Sequence, residues 1–412
     1  MNRVVVTGIG VVSPVGCDAA SFWESLKSGR CGIGQITRFD TAQHKVKIAA
    51  EVRDFDPLKY MSRSEAQHSD LFTQYAMAAA CQAVEDSRIE GTVAPERIGV
   101  YFGTGIGGIT TLMAEHIKLL EKGPRRVSPF FIPMIISNMA SGLIAIRFNC
   151  RGAAKPEVTA CASGSNAIGE ALRAIRHGYA DVMITGGSEA SVNELAVAGF
   201  ANMQALSNSN DPLCSSLPFD LRRTGFVIGE GAGALVLEEY ERARSRGAHI
   251  YAEVCGYGST CDAYHMTAPH PEAEGGAAAI TLALEEAGTD TDRIYVNAHG
   301  TGTPLNDKAE TLAIKKALGE QRARKALISS TKSMTGHMLG AAGAAEAIAC
   351  VFALKEGIVP PTIGLDVPDP ECDLDYVPHS ARRADLDAAI SVSLGFGGHN
   401  ACLAFKKAGA EK

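Results

Sequence analysis

The sequence predicts an α/β fold with sheets covered by helices, and two observations carry that prediction. Short apolar runs of strand character alternate with longer segments whose apolar residues recur at helical spacing, and the alternation restarts near Ile250. The restart predicts two structurally similar halves, residues 1–249 and 250–412. They are expected to share one core, because no Pro-, Gly- or Ser-rich linker separates them.

Residues 3–12 read as a strand and 19–28 as a short helix carrying the only tryptophan, Trp23. Residues 31–63 are polar and irregular. Residues 65–86 place Phe72, Ala76, Met77, Ala80 and Val84 at helical spacing, and 98–102 read as a buried strand. Residues 109–122 and 133–149 read as helices; 181–185 and 231–237 read as strands, the second leading into a charged helix at 238–246. In the second half, strands are expected at 250–254, 294–297 and 326–330, and helices at 275–287, 307–318 and 339–355. Residues 389–394 and 401–405 form a closing pair of strands.

Composition limits the function. Of 412 residues, 46% are hydrophobic and 21% charged, which excludes a disordered chain. No run approaches the roughly 18 apolar residues of a membrane span, and the first residues lack the pattern of a signal peptide. Eleven scattered cysteines form no Cys-x-x-Cys pair, so neither a disulfide framework nor a zinc site is indicated and a reducing cytoplasm fits. A net charge of −7 argues against nucleic-acid binding.

The stretch Val158-Thr159-Ala160-Cys161-Ala162-Ser163-Gly164 runs into apolar positions at helical spacing, Ile168, Ala171, Leu172 and Ile175. Cys161 is therefore placed where a strand turns into a helix. Unpaired N–H groups and the positive end of the helix dipole favour an anion there, so the expectation is a nucleophilic cysteine with a depressed pKa. The alternative is a small buried residue at a tight junction. Two histidines, in Asn297-Ala298-His299-Gly300-Thr301-Gly302-Thr303 and Lys332-Ser333-Met334-Thr335-Gly336-His337, stand after strands in the second half. Each alone reads as a core histidine. Both at equivalent strand ends, with a candidate nucleophile in the other half, point to one shared site. No carboxylate or third histidine stands at ligand spacing, so no metal site is predicted.

Two glycine-rich stretches complete the set. Gly103-Thr104-Gly105-Ile106-Gly107-Gly108 satisfies the G-x-G-x-x-G dinucleotide pattern between a strand and a helix. The acidic residue expected about 20 positions on is missing; Arg125-Arg126-Val127-Ser128 stands there instead. The glycines are read as a tight turn at a pocket wall. Gly395-Phe396-Gly397-Gly398 interrupts two strands, either as a hairpin turn or as a loop bringing backbone N–H groups to a ligand.

Together these motifs, with Gly225-Phe226-Val227-Ile228-Gly229-Glu230-Gly231, resemble the β-ketoacyl-[acyl-carrier-protein] synthases, most closely those of the synthase II type. The resemblance covers essentially the whole chain. It implies the thiolase fold, two βαβαβαββ halves in five α-β-α-β-α layers, and a homodimer. It implies a catalytic set of Cys161, His299 and His337, supported by Lys332, Glu346 and Asp307, with the backbone N–H groups of Cys161 and Phe396 as an oxyanion hole. Thr301 and Thr303 match pantetheine contacts, Phe396 a gate, and Ile106 a residue lining the acyl tunnel. The implied reaction moves an acyl group to Cys161 and then condenses it with malonyl-carrier protein, with loss of CO₂. No cofactor of its own is implied; the substrates ride on the phosphopantetheine arm of acyl carrier protein.

The chain departs from the pattern in places. Basic residues that dock the acidic carrier in relatives are replaced by Ser64, Gln67, His68 and Gln204, leaving Arg125 and Arg126 as the docking candidates. Val392, Leu394 and His399 stand where Asn, Phe and Thr are common, which is expected to alter the gate, and Asn166 replaces a common His. These changes keep a second setting open, a specialised type II polyketide or polyene pathway. A thiolase is disfavoured because Gly-Phe-Gly-Gly-His lacks a second cysteine, a chain-initiating synthase because both histidines are present, and a chain-length factor because Cys161 is present.

Overall fold

The computed structural model describes residues 1–409; residues 410–412, the end of the expected second half, lie outside them. Among the described residues, one sheet of ten strands takes five from the first half: β1 (Val4–Val12), β2 (Ile98–Gly103), β3 (Ala154–Glu157), β4 (Val182–Glu189) and β5 (Gly231–Glu239). Five come from the second: β6 (Ala252–Cys261), β7 (Ile294–Asn297), β8 (Leu327–Ser329), β9 (Ala388–Gly395) and β10 (His399–Lys406). Counted outward from the centre, the first half runs β1-β5-β4-β2-β3 and the second β6-β10-β9-β7-β8. The pairing repeats as well. Each half has two antiparallel pairings followed by two parallel ones. The halves meet where Val4, Val5 and Val6 pair antiparallel with Val254, Glu253 and Ala252, joining all ten strands.

The helices form layers around this sheet. The outer ones are α1 (Leu71–Ser87) and α2 (Met139–Arg147) on the first half, and α4 (Glu274–Ala287) and α5 (Pro304–Leu318) on the second; α3 (Ser163–Arg176) and α6 (Ala342–Glu356) lie between. The middle pair is buried on nearly every side. Residues Ala342 to Leu354 of α6 are all buried, and its alanine-rich sequence suits a helix packed between the two halves of the sheet. Gly357, at φ 63°, ends it in the left-handed conformation. The result is the five-layered α-β-α-β-α arrangement.

Local differences from the sequence reading have identifiable causes. The helix expected at 65–86 is two helices, Arg63–Gln67 and α1. Ser62 and Glu65 form a capping box, and Asp70 caps α1 by accepting from the Phe72 N–H. The helix expected at 133–149 breaks where Ile136 turns extended (ψ 137°), leaving Phe131–Ile135 and α2. β5 runs to Glu239, whose side chain caps the shorter helix Tyr240–Ser245. The irregular stretch 31–63 holds a two-residue strand pair, Gly34–Gln35 with Ile48–Ala49. β3 has no apolar alternation; its Pro156 is tolerated because the strand lies at the sheet edge.

Candidate active site

The ends of β3, β7 and β8 converge on one channel. Cys161 lies in the single turn Ala160–Ala162 between β3 and α3, and Ala160 takes a left-handed φ of 52°. A non-glycine residue held there costs on the order of 1–3 kcal/mol and marks a backbone fixed by its surroundings. Ser163 does part of that fixing, accepting the Thr159 N–H (2.9 Å) while its hydroxyl lies 2.6 Å from the Ala160 carbonyl. Asn166 donates to the Thr159 hydroxyl at 2.7 Å and accepts from Tyr257, tying this turn to the second half.

His337 Nε2 lies 3.1 Å from Cys161 Sγ. Its other nitrogen, Nδ1, accepts the Leu339 N–H at 3.3 Å, so in the neutral ring the proton sits on Nε2, facing the sulfur. His299 follows β7, and its ring stands nearly perpendicular to that of His337 at 5.2 Å between centroids. Glu310 on α5 accepts the backbone N–H groups of His299 (2.6 Å) and Gly300 (2.7 Å), which fixes the turn. Nδ1 of His299 is buried without a hydrogen-bond partner. One atom each from Cys161, His299 and His337 lie within 4.8 Å of one another. A metal ion would need the Nε2 lone pair of His337, and the Leu339 N–H works against the tautomer that offers it.

Beneath the histidines, Lys332 and Glu346 form a buried ion pair. Asp307 is buried on α5; it accepts the Phe219 N–H at 2.8 Å and the Gly302 N–H at 3.2 Å, anchoring the Thr301–Thr303 turn. Burial, reinforced by the Lys332 charge, holds His299 and His337 well below the ordinary value of 6.5. Both rings are therefore neutral near pH 7. The expected consequence is activity that stays level as the pH falls through 6.5. A pH–rate profile with a limb at 6.5 would mean that one ring titrates normally.

The thiol corrects the sequence reading. Burial pushes Cys161 up to about 12, against the opposing influence of Lys332 and of the Phe396 N–H. The helix start was expected to depress this value, but desolvation of the anion outweighs it. Cys161 therefore rests as a thiol beside a neutral His337.

A channel of ≈ 900 Å³ connects these groups to solvent, and Ile106, Thr301, Thr303, Leu394 and Phe396 line it. Gly395 lets the β9–β10 hairpin approach the nucleophile: a Cβ there would lie 2.8 Å from the Thr159 carbonyl and 3.3 Å from Cys161 N. The Phe396 loop is thus both a hairpin turn and a wall of the site. Of the three expected gate changes, Leu394 lines the channel, His399 packs beside Gly397, and Val392 is buried in the core. Gln204 also lines the channel. Arg125 and Arg126 stand apart, exposed in the turn Pro124–Arg126. The G-x-G-x-x-G loop is a channel wall, and Glu189 already takes the Gly105 and Ile106 N–H groups that a dinucleotide pyrophosphate would need. Sequence reasoning missed Glu310 and Glu189, since nothing in their neighbourhoods distinguishes a buried carboxylate from a surface one.

Residues 1–243 match the family description "Beta-ketoacyl synthase, N-terminal domain", and residues 251–366 match "Beta-ketoacyl synthase, C-terminal domain". The chain belongs to the beta-ketoacyl synthase family. It is 52% identical over 409 residues to a 3-oxoacyl-[acyl-carrier-protein] synthase 2 of Synechocystis sp., covering 98% of each chain. Among solved structures, the ishigamide ketosynthase/chain length factor matches with a TM-score of 0.93 at 39% identity, covering 99% of this chain and 100% of that one. A type II PKS acyl-carrier protein in complex with its ketosynthase matches with a TM-score of 0.91 at 33% identity, covering 98% and 99%. These family members place the chain among condensing enzymes with the thiolase fold.

Proposed function

We propose that the chain is a 3-oxoacyl-[acyl-carrier-protein] synthase that extends a fatty acyl chain by two carbons. The observation that carries the reading is Cys161 Sγ at 3.1 Å from His337 Nε2, with His299 beside both at the end of one channel. In the first half-reaction the Cys161 sulfur attacks the thioester on a carrier protein's phosphopantetheine arm, and the acyl group moves to sulfur. The cysteine proton leaves with the departing pantetheine thiol, so this exchange has no net proton change. The N–H groups of Cys161 and Phe396 stabilise the tetrahedral oxyanion.

In the second half-reaction malonyl-carrier protein loses CO₂, and its electron pair moves onto the thioester as an enolate. The Nε2–H of His337 and the ring N–H of His299 donate to that oxygen. The enolate carbon attacks the acyl thioester and expels the Cys161 sulfur, which takes up one proton to regenerate the thiol; its high pKa favours that uptake. Thr301 and Thr303, whose hydroxyls lie 3.0 Å apart, hydrogen-bond the pantetheine arm, and Ile106 and Phe396 bound the acyl chain. Lys332 and Glu346 fix the floor of the site, and Asp307 the threonine turn. Arg125 and Arg126 face the acidic carrier. Likeness to the Synechocystis synthase favours fatty-acid elongation over a specialised pathway.

We place the junction of the halves at 249/250 and the enzyme in the cytoplasm; no helix among the described residues is long and apolar enough to cross a membrane. Supplying acyl- and malonyl-carrier proteins should release one CO₂ per product two carbons longer. Absence of elongated product from every carrier-bound acyl donor would overturn the reading.

The homodimer rests on the sheet edge. β3 pairs on one side only, and Ile132, Ile146 and Val158 nearby are exposed by 56%, 75% and 52%. An unpaired edge beside exposed apolar side chains suits a second copy of the chain. Sedimentation should give twice the 43.2 kDa chain mass, and Ile146→Asp should shift it towards the monomer. A monomeric parent protein would contradict the assignment.

A further inference from the structure

Glu189, the last residue of β4, is fully buried, and hydrogen bonds rather than a cation oppose its burial. Its Oε2 accepts the N–H groups of Gly105 (2.8 Å) and Gly340 (3.1 Å). Its Oε1 accepts from the Ile106 N–H and from the hydroxyls of Thr104 and Ser191, each at 3.3 Å. A carboxylate taken out of water this completely is kept only by what it holds. Here it holds two segments with different tasks.

The first segment, Gly105 and Ile106, walls the channel. The second is the single turn Leu339–Ala341 behind His337. Leu339 takes a left-handed φ of 47°, unfavourable for a residue of its size, and in that conformation its N–H reaches His337 Nδ1. The next N–H along, that of Gly340, is the one Glu189 grips. The two segments are so close that a Cβ on Gly340 would lie 2.3 Å from Gly105 N.

We propose that Glu189 is a positioning residue that clamps the channel wall at Gly105 and Ile106 to the turn behind His337, and so keeps the Nε2–H of His337 aimed at the reacting oxygen. The inference rests on the reaction proposed above. It separates the two half-reactions: transfer to Cys161 uses the Cys161 and Phe396 N–H groups, whereas decarboxylation uses the histidine donors. Loosening the turn weakens the second step more than the first.

The test uses the full-length enzyme and compares two rates, single-turnover acylation of Cys161 by acyl-carrier protein and CO₂ release from malonyl-carrier protein. Glu189→Gln keeps the side-chain volume but turns an N–H₂ group towards backbone donors, so at least one clamp bond is lost. The expected result is decarboxylation reduced about tenfold with acylation within about twofold of the parent, since small misplacements of a reacting group cost that much or more. Should that variant fail to fold, Glu189→Asp keeps the carboxylate but withdraws it by one methylene from the Gly105 and Gly340 N–H groups, and the same split is expected. An equal fall in both rates, or no fall in either, in a folded variant would overturn the clamp. A parent enzyme that takes no acyl group from any carrier protein would overturn the proposed function itself.

Discussion

Replacing Cys161 with alanine should lower condensation on the order of 10⁴-fold or more while leaving the fold intact, because removal of a covalent nucleophile is among the largest single losses an enzyme shows. The side chain is small and sits in a turn whose geometry is set by Ser163, Thr159 and Asn166, so its removal leaves those bonds in place. Measured elongation with acyl- and malonyl-carrier proteins checks this, alongside a melting curve. Decarboxylation of malonyl-carrier protein should persist in the variant, since the histidine donors remain. Full elongation by Cys161→Ala would remove the acyl-enzyme from the mechanism.

The second large effect belongs to the histidines. Loss of one donor to a developing oxyanion costs about 10²–10³ in rate, and His299→Ala or His337→Ala should each lower malonyl decarboxylation by that order. The two variants should differ in acyl transfer. His337 stands 3.1 Å from the sulfur, so deleting the whole ring also slows acylation, though far less than decarboxylation, whereas His299 contributes no hydrogen bond to Cys161. The two losses should not add, because the donors share one oxygen. Unchanged decarboxylation in both variants would dismiss their assigned role.

How much of this was legible in the chain depends on the kind of feature. The alternation of strand and helix, and its restart near Ile250, are written in apolar spacing, and the strand order β1-β5-β4-β2-β3 against β6-β10-β9-β7-β8 gives that restart its meaning. Cys161 at a strand-to-helix junction was visible because small residues precede a periodic run. Its protonation was not. The sequence signals a helix start, but not the burial that outweighs it. A strand was expected to run into Cys161, but its place was not legible: β3 lies earlier, at Ala154–Glu157, where Ala-Lys-Pro-Glu carries no alternation, and it is held by pairing with β2 alone. The break between Gln67 and Leu71 depends on Asp70 finding both the Phe72 and Thr111 N–H groups, a contact 41 residues away in the second case.

The buried acids illustrate the same limit. Lys332 and Glu346 lie 14 positions apart on separate helices and meet only after α6 packs between the halves. Glu310 and Glu189 read as ordinary charged residues, yet one fixes the His299 turn and the other the loop beside Cys161. Burial raises Glu310 to about 8, a value no local pattern foretells. The residues proposed to act on substrate came from motif context, and Lys332, Glu346 and Asp307 from the family resemblance, while Glu310 and Glu189 became visible only with the fold.

The most direct measurement is the mass of the intact protein after incubation with acyl-carrier protein alone, followed by peptide mapping. One acyl group per chain is expected, located on Cys161, absent from Cys161→Ala and discharged when malonyl-carrier protein is added. Elongation that proceeds with no acyl group on Cys161, or with the group on another residue, would contradict it.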